Sequence, residues 1–270
     1  MNQDGQESNP GRNIVTRRAL FGLAAAAAVG VVAGCGSDAA SAPITTSPRP
    51  DASGKPKHGL HAPPDVAPVA QRDPVHRVHD LIPGAPDNAI ALTIDDGPTP
   101  TWTPQVLSVL RQYHVPATFF MIGWQAFGRP YLPKDIMKDG HQLANHTLSH
   151  PVSLTGMKTK AIEKEIADGT SAIYDAAGVT PKYFRAPGGA WNKDILASTS
   201  ANGMIPIDWD IDPADWTRPG IQQIINKMLA AQPGDIMLCH DGGGDRGETV
   251  AALKTVIPQL QARGLTFVSL

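Results

Sequence analysis

From residue 89 onward, short apolar runs alternate with longer stretches in which apolar residues recur every three or four positions. Residues 89–94 (Ala-Ile-Ala-Leu-Thr-Ile) are almost wholly apolar and predict a buried strand. After a proline-rich loop, Thr103-Pro104 predicts a helix start, with Thr103 as N-cap and proline in the first helical position. Val106, Leu107, Leu110 and Tyr113 then share one helical face. Further strands are predicted at residues 117–122, 141–144, 183–185, 204–207, 235–239 and 266–269. Helices fall between them at 131–138, 158–177 (Ile162, Ile166 and Ile173 inward), 192–201, 221–231 and 249–263. Strand-helix alternation predicts an α/β fold with about seven parallel strands. The pattern alone leaves a barrel and an open doubly wound sheet both open.

The first part of the chain has a different texture. Arg12, Arg17 and Arg18 precede an apolar run at 19–33, which ends at Gly34 and Cys35. A positive segment, a short apolar run and small residues at its end describe an export signal. The run is shorter than the roughly 20 residues a membrane-spanning helix needs. Val32-Ala33-Gly34-Cys35 resembles a bacterial lipobox, in which the cysteine is lipidated and begins the mature protein, and residues 16–21 resemble a twin-arginine signal. A plain secretory peptide cleaved near Ala33 is the alternative. Residues 36–74 are rich in Ala, Ser, Pro, Asp and Gly and have hardly any large apolar side chains, so they read as a flexible tether. His58, His61, His76 and His79 then read as solvated linker histidines. The expected organisation is a signal at 1–34, a lipidated cysteine and tether at 35–75, and a catalytic domain at 76–270, held by the anchor to the outer face of the cytoplasmic membrane and facing the cell wall.

Composition adds limits. A chain of 270 residues that is 41% hydrophobic and 18% charged suits a globular protein, expected as a monomer. A formal net charge of -2 argues against a nucleic-acid partner held through phosphates. Of the two cysteines, Cys35 lies at the targeting segment and Cys239 inside an apolar run, so no mutual disulfide is expected and Cys239 reads as buried and inert.

The polar residues choose one edge. Asp95, Asp96, His146, Arg185, Asp208 and His240 each fall at or just after a predicted strand end, where parallel α/β folds place their ligands. Asp95 and Asp96 point in different directions as the chain leaves its strand, although an isolated Asp-Asp-Gly more often makes a cap or Asx-turn. His146 and His150, four residues apart, would face the same side of a helical turn. One carboxylate and two imidazoles make a facial metal site with open positions, suited to lowering the pKa of bound water and polarising a carbonyl.

Thr93-Ile94-Asp95-Asp96-Gly97-Pro98, His146-Thr147-Leu148-Ser149-His150, Arg185-Ala186-Pro187-Gly188-Gly189, Asp212-Pro213-Ala214-Asp215-Trp216 and Leu238-Cys239-His240 resemble, in order, the five motifs of the polysaccharide deacetylases, the NodB-homology enzymes of carbohydrate esterase family 4. The resemblance spans about residues 89–270 and implies a distorted (β/α) barrel. It implies that Asp96, His146 and His150 hold one divalent ion, zinc first, with cobalt or another divalent ion as alternatives. Asp95 would be the general base, paired with Arg185, and His240 the general acid, oriented by Asp215. Trp216 and Leu238 would line the acetyl pocket, and a backbone N–H near Gly188 would meet the oxyanion. The implied reaction is removal of N-acetyl groups from N-acetylglucosamine in a wall polysaccharide, peptidoglycan first. The alternatives are an O-acetyl esterase on a xylan-like chain or a noncatalytic glycan binder; a phosphoesterase lacks the second carboxylate-rich metal cluster it would need.

The chain departs from the family pattern in places. Ile94 stands where Phe is frequent. Gly188 stands where many members carry an aromatic residue, so a sugar-stacking surface is expected from Trp191 instead. Asp208 and Asp210 are additional acids that fit either substrate binding or loop structure. Residues 241–246 (Asp-Gly-Gly-Gly-Asp-Arg) read as a mobile rim loop.

Overall fold

The computed structural model describes residues 59–63 and 66–270. The signal, Cys35 and the start of the tether lie outside the described residues.

Seven strands form one sheet, and every pairing between them is parallel. They are β1 (Ala89–Asp95), β2 (Thr118–Met121), β3 (Gln142–Asn145), β4 (Tyr183–Phe184), β5 (Ile205–Pro206), β6 (Ile236–His240) and β7 (Thr266–Val268). The order is β5-β4-β3-β2-β1-β6, with β7 beside the first half of β1. The helices are α1 (Val78–Leu81), α2 (Thr103–Tyr113), α3 (Gly123–Gly128), α4 (Tyr131–Lys138), α5 (Thr159–Ala177), α6 (Lys193–Ala201), α7 (Ile221–Met228) and α8 (Gly247–Ala262).

The sheet curls into a barrel in which β1 is covered on both faces, as its seven buried residues require. Alternation divides the strand between two apolar clusters. Ile90, Leu92 and Ile94 pack with Val106, Leu110, Leu253 and Ile257 of α2 and α8. Ala89 and Ala91 face inward with Phe120, Ala144, Ile207 and Ile236. Small inward side chains leave the space that the strand's later residues, Thr93 and Asp95, fill with polar groups.

The expected barrel is present, and the gap between β5 and β6 is closed by a segment that the sequence reading placed at the edge of the tether. Val75 forms a parallel bridge with Ile207, and Arg77 an antiparallel bridge with Asp235. Val75 is 3% exposed. Upstream, the Val69 N–H donates to the Ser200 carbonyl at 3.0 Å, and His61 N–H and Nδ1 pair with the Asp175 carboxylate. A solvated tether reaching residue 75 is therefore corrected in its last part: His61, Val69 and Val75 are each bonded to the folded domain. Backbone hydrogen bonds hold much of this strap, and apolar content did not reveal them.

Two smaller expectations also change. Thr103 is the first residue of α2 with Trp102 as N-cap, and its hydroxyl donates to Asp241 rather than capping the helix. The six-residue α3 was not anticipated.

Candidate active site at the carboxyl ends of the strands

Asp95 closes β1, and Asp96 follows in the left-handed region with φ 73°. Asp96 Oδ1 lies 3.2 Å from His150 Nε2 and 3.5 Å from His146 Nε2. One ligand atom from each of the three residues falls within 4.8 Å of the others. The helical turn expected to bring the two histidines together is absent. Residues 146–150 form a loop in which Thr147 (φ 68°) and His150 (φ 60°) are left-handed. Neighbouring elements impose this shape. The Gly123 and Trp124 N–H groups at the start of α3 donate to the Thr147 and Leu148 carbonyls at 2.9 and 3.0 Å. From α5, the Glu165 carboxylate accepts from the Ser149 N–H and hydroxyl at 2.9 and 2.8 Å.

The chemistry of these atoms fits a divalent cation. His146 Nδ1 lies 2.8 Å from the Arg185 carbonyl, an acceptor only, so the ring proton sits there and Nε2 offers a lone pair. Burial, above the opposing Asp96 charge, takes the His146 pKa down to about 3, so the ring stays neutral. Asp96 Oδ1 is buried with no hydrogen-bond partner among the described residues. A buried carboxylate oxygen without a hydrogen-bond partner, converging with two imidazole nitrogens, suits a cation.

On one side of this triad stands Asp95. Its Oδ1 accepts from Arg185 Nη1 at 2.8 Å. Arg185 is 0% exposed; the same Nη1 donates to Thr93 Oγ1 at 2.9 Å, and Nη2 to the Asp208 carbonyl at 3.0 Å. Its guanidinium carbon also sits 4.1 Å from the Phe120 ring centre. Burial raises the Asp95 pKa, and the Arg185 and His240 charges oppose that rise. A carboxylate so placed is poised as a base rather than being deeply stabilised as an anion.

On the other side stands His240, at the end of β6. Its Nδ1 lies 2.7 Å from Asp215 Oδ1, and its own N–H donates to Oδ2 at 2.9 Å. Thr249 Oγ1 donates to Oδ2 at 2.7 Å, fixing the carboxylate from α8. Burial pulls the His240 pKa down, but the Asp215 hydrogen bond and charge, with Asp95 and Asp96, outweigh it and lift the pKa to about 9. Asp215 likewise falls below the ordinary carboxylate value, because these hydrogen bonds and the His240 charge overcome its burial.

Asp95, Asp96, His146, His150 and His240 open together into a cleft of about 390 Å³. The polysaccharide deacetylase family profile matches residues 83–207. A peptidoglycan-N-acetylglucosamine deacetylase of Bacillus cereus is 42% identical over 186 residues, which are 68% of this chain and 86% of that protein. The chain belongs to the polysaccharide deacetylase family. A chitooligosaccharide deacetylase of Sinorhizobium fredii is 41% identical over 199 residues, 69% of this chain and 91% of its own length. In three dimensions, a family 4 carbohydrate esterase from Streptomyces lividans, solved with acetate, matches with a TM-score of 0.63 at 31% identity, covering 68% of this chain and 93% of that one.

As in any polysaccharide deacetylase, the cleft walls decide what enters. Gly188 (φ 66°), Trp216 and Leu238 all line it. Leu238 is buried, whereas Trp216 is 57% exposed and offers much of its indole to solvent. Trp191 does not supply the stacking surface expected of it. Its Nε1 donates to Asp208 at 3.0 Å, and its ring packs edge-on against Phe184, away from the cleft. Trp209 and the exposed Val152 line the cleft instead, neither singled out from sequence. Asp208 thus serves structure, and burial raises its pKa. Cys239 is buried, with its thiol pKa pushed well up by burial, as an inert neighbour should be.

The loop at 241–246 is anchored at both ends, with Gly243 to Asp245 exposed between them. Asp241 is 0% exposed and Arg246 3% exposed, and Arg246 Nε donates to the Gly242 carbonyl at 2.6 Å. Burial, eased by Thr103 and reinforced by Asp96, pushes the Asp241 pKa up to about 7. Glycine content signalled looseness here, but Gly242 serves close approach: a Cβ on it would lie 2.0 Å from the Asp96 carbonyl oxygen.

Proposed function

We propose that this protein removes N-acetyl groups from N-acetylglucosamine units of cell-wall peptidoglycan, releasing acetate. The observation that carries the reading is the pair of buried proton handlers flanking one cation-ready triad, Asp95 held by Arg185 and His240 held by Asp215. Asp96, His146 and His150 hold the ion, which we take to be zinc. The ion's contribution, when bound, is to activate water and polarise the acetyl carbonyl. Asp95 accepts the proton of the attacking water, with Arg185 fixing the carboxylate. His240 begins protonated and delivers its proton to the departing amine, and Asp215 fixes the ring and its charge. Trp216 and Leu238 flank the acetyl methyl, and a backbone N–H near Gly188 faces the developing oxyanion. The names of the Bacillus and Sinorhizobium relatives favour an N-acetylated glucosamine polymer.

The test is acetate release by the zinc-loaded protein from peptidoglycan, chitooligosaccharides and acetylated xylan, read by mass spectrometry. Release from peptidoglycan, lost in Asp95→Asn, is expected. Release from xylan alone would make it an O-acetyl esterase, and a zinc-loaded wild type inert on all three would make it a glycan binder. Because an amine is a poorer leaving group than an alcohol, His240→Ala should slow amide hydrolysis by about 100-fold or more and ester hydrolysis far less.

The place of action completes the proposal: an exported monomer held through lipidated Cys35 to the outer face of the cytoplasmic membrane. The lipobox-like Val32-Ala33-Gly34-Cys35 supports it. In fractionated cells, Cys35→Ala should move the protein from membranes to the soluble fraction; retention in the membrane would overturn the anchor.

A further inference from the structure

Asp241 takes no part in the chemistry above, yet its carboxylate is fully buried directly behind the triad. Its N–H donates to the Asp95 carbonyl at 3.1 Å, and its own carbonyl accepts from Thr99 Oγ1 at 2.7 Å. Its side chain reaches α2, where Oδ2 accepts from Thr103 Oγ1 at 2.5 Å. Thr103 Oγ1 in turn accepts from the Thr99 N–H at 2.7 Å. Its Oδ1 presses on the turn itself: a Cβ on Gly97 would fall 2.1 Å from it. The next residue continues the brace, since Gly242 packs directly on the Asp96 carbonyl. On the far side, the Ile122 N–H donates to the Gly97 carbonyl at 2.9 Å.

The turn from Asp95 to Thr99 is thus gripped from two directions, and it contains the ligand with the unusual backbone. Asp96 holds φ 73°, a region that L-residues other than Asn and Asp seldom visit and that local contacts must maintain. In that conformation its Oδ1 converges on His146 and His150. We propose that Asp241 is a positioning residue for the metal site: through Thr99, Thr103 and Gly97 it locks the Asp95–Thr99 turn so that Asp96 is presented ready-made to the ion. The proposal rests on reading Asp96, His146 and His150 as the metal ligands. It also explains Thr103, whose hydroxyl belongs to this network rather than to a helix cap.

The experiment titrates zinc into the metal-free full-length protein and its variants by calorimetry, with chelator competition as a second measure. Metal-free melting temperature and circular dichroism are read alongside. Loss of an outer partner of a metal ligand typically weakens binding by about 10- to 100-fold, and that loss is expected for Asp241→Ala. Asp241→Asn should stay close to wild type, because the amide oxygen still accepts from Thr103 and the amide nitrogen fills the space against Gly97. Thr103→Val should weaken zinc by about tenfold, and Thr103→Ser should restore it. A residue that only stabilises the fold would lower the metal-free melting temperature and leave zinc affinity unchanged. That result overturns the proposal, as does an Asn variant as weak as Ala. Should Asp241→Ala fail to fold, the Thr103→Val and Thr103→Ser pair decides. A wild type that binds no zinc sinks the metal-site reading itself, a distinct failure seen before any variant is compared.

Discussion

The separation of the two proposed proton handlers is set residue by residue. Asp95 and His240 end adjacent strands in direct register, yet one is raised by burial and the other held protonated. The difference lies in their partners. Arg185 gives Asp95 a cation, and Asp215 gives His240 an anion with two further hydrogen bonds to hold it. A general acid must start protonated, so a pKa raised to about 9 extends activity upward and loses it as pH rises through that value. Asp215→Asn removes the charge that outweighs burial. The basic limb of the pH–rate profile should then move down by about one unit or more, with the acid limb little changed. An unmoved basic limb would show that His240 does not supply the proton. The strand-end placement of Asp95, Arg185 and His240 was legible in the sequence, and the roles proposed for them came from the resemblance of the five motifs. The burial of Asp241 was not legible, because it depends on contacts with α2 and the Asp96 turn that no local pattern encodes.

At the scale of elements, the strands were read well because buried parallel strands are short apolar runs, and β1, β2 and β6 are uniformly buried. The path between His146 and His150 was not readable, since spacing alone favours a helical turn and tertiary contacts override it. Two elements override it, α3 and α5, and α5 does so by close packing as well as by hydrogen bonds. A Cβ at Gly169, inside that helix, would lie 2.6 Å from Asn145 Oδ1, 2.8 Å from the Thr147 carbonyl carbon and 2.9 Å from the Leu148 N. In an open helix Gly→Ala gains about 1 kcal/mol. Here the methyl meets backbone, and overpacking of this kind costs about 1–3 kcal/mol. Gly169→Ala should therefore lower the melting temperature and weaken zinc binding together, because the displaced backbone carries the ligand loop. Gly156→Ala, with open space at its Cβ, is the control and should change neither. Calorimetric melting and zinc titration on both variants check this; an unaffected Gly169→Ala would mean that the loop's shape is not imposed by α5.

For the whole molecule, the parallel strands leave an opening between β5 and β6, and residues 75–77 fill it. The Val75 N–H donates to the Pro206 carbonyl at 2.9 Å, and the Asp208 N–H returns to the Val75 carbonyl at 2.8 Å. Arg77 pairs with Asp235. The alternating pattern could predict a barrel or an open sheet but not this closure, because a bridge of single residues has no periodicity to read. The closure reaches the site through Asp208, whose carbonyl accepts from Arg185 Nη2 while its N–H is held by Val75. Burial of Val75 contributes about 1.5–3 kcal/mol, and each backbone hydrogen bond about 1 kcal/mol. In a domain of this size each kcal/mol shifts melting by about 2–4 °C. A chain beginning at Gly59 should melt and turn over as the full chain does, whereas one beginning at Val78 should melt about 10 °C lower. Its kcat should fall as well, since Arg185 loses the fixed carbonyl that aims it at Asp95. Calorimetry and acetate release on the two truncations test both arms, and equal melting temperatures would show that the barrel holds without its strap.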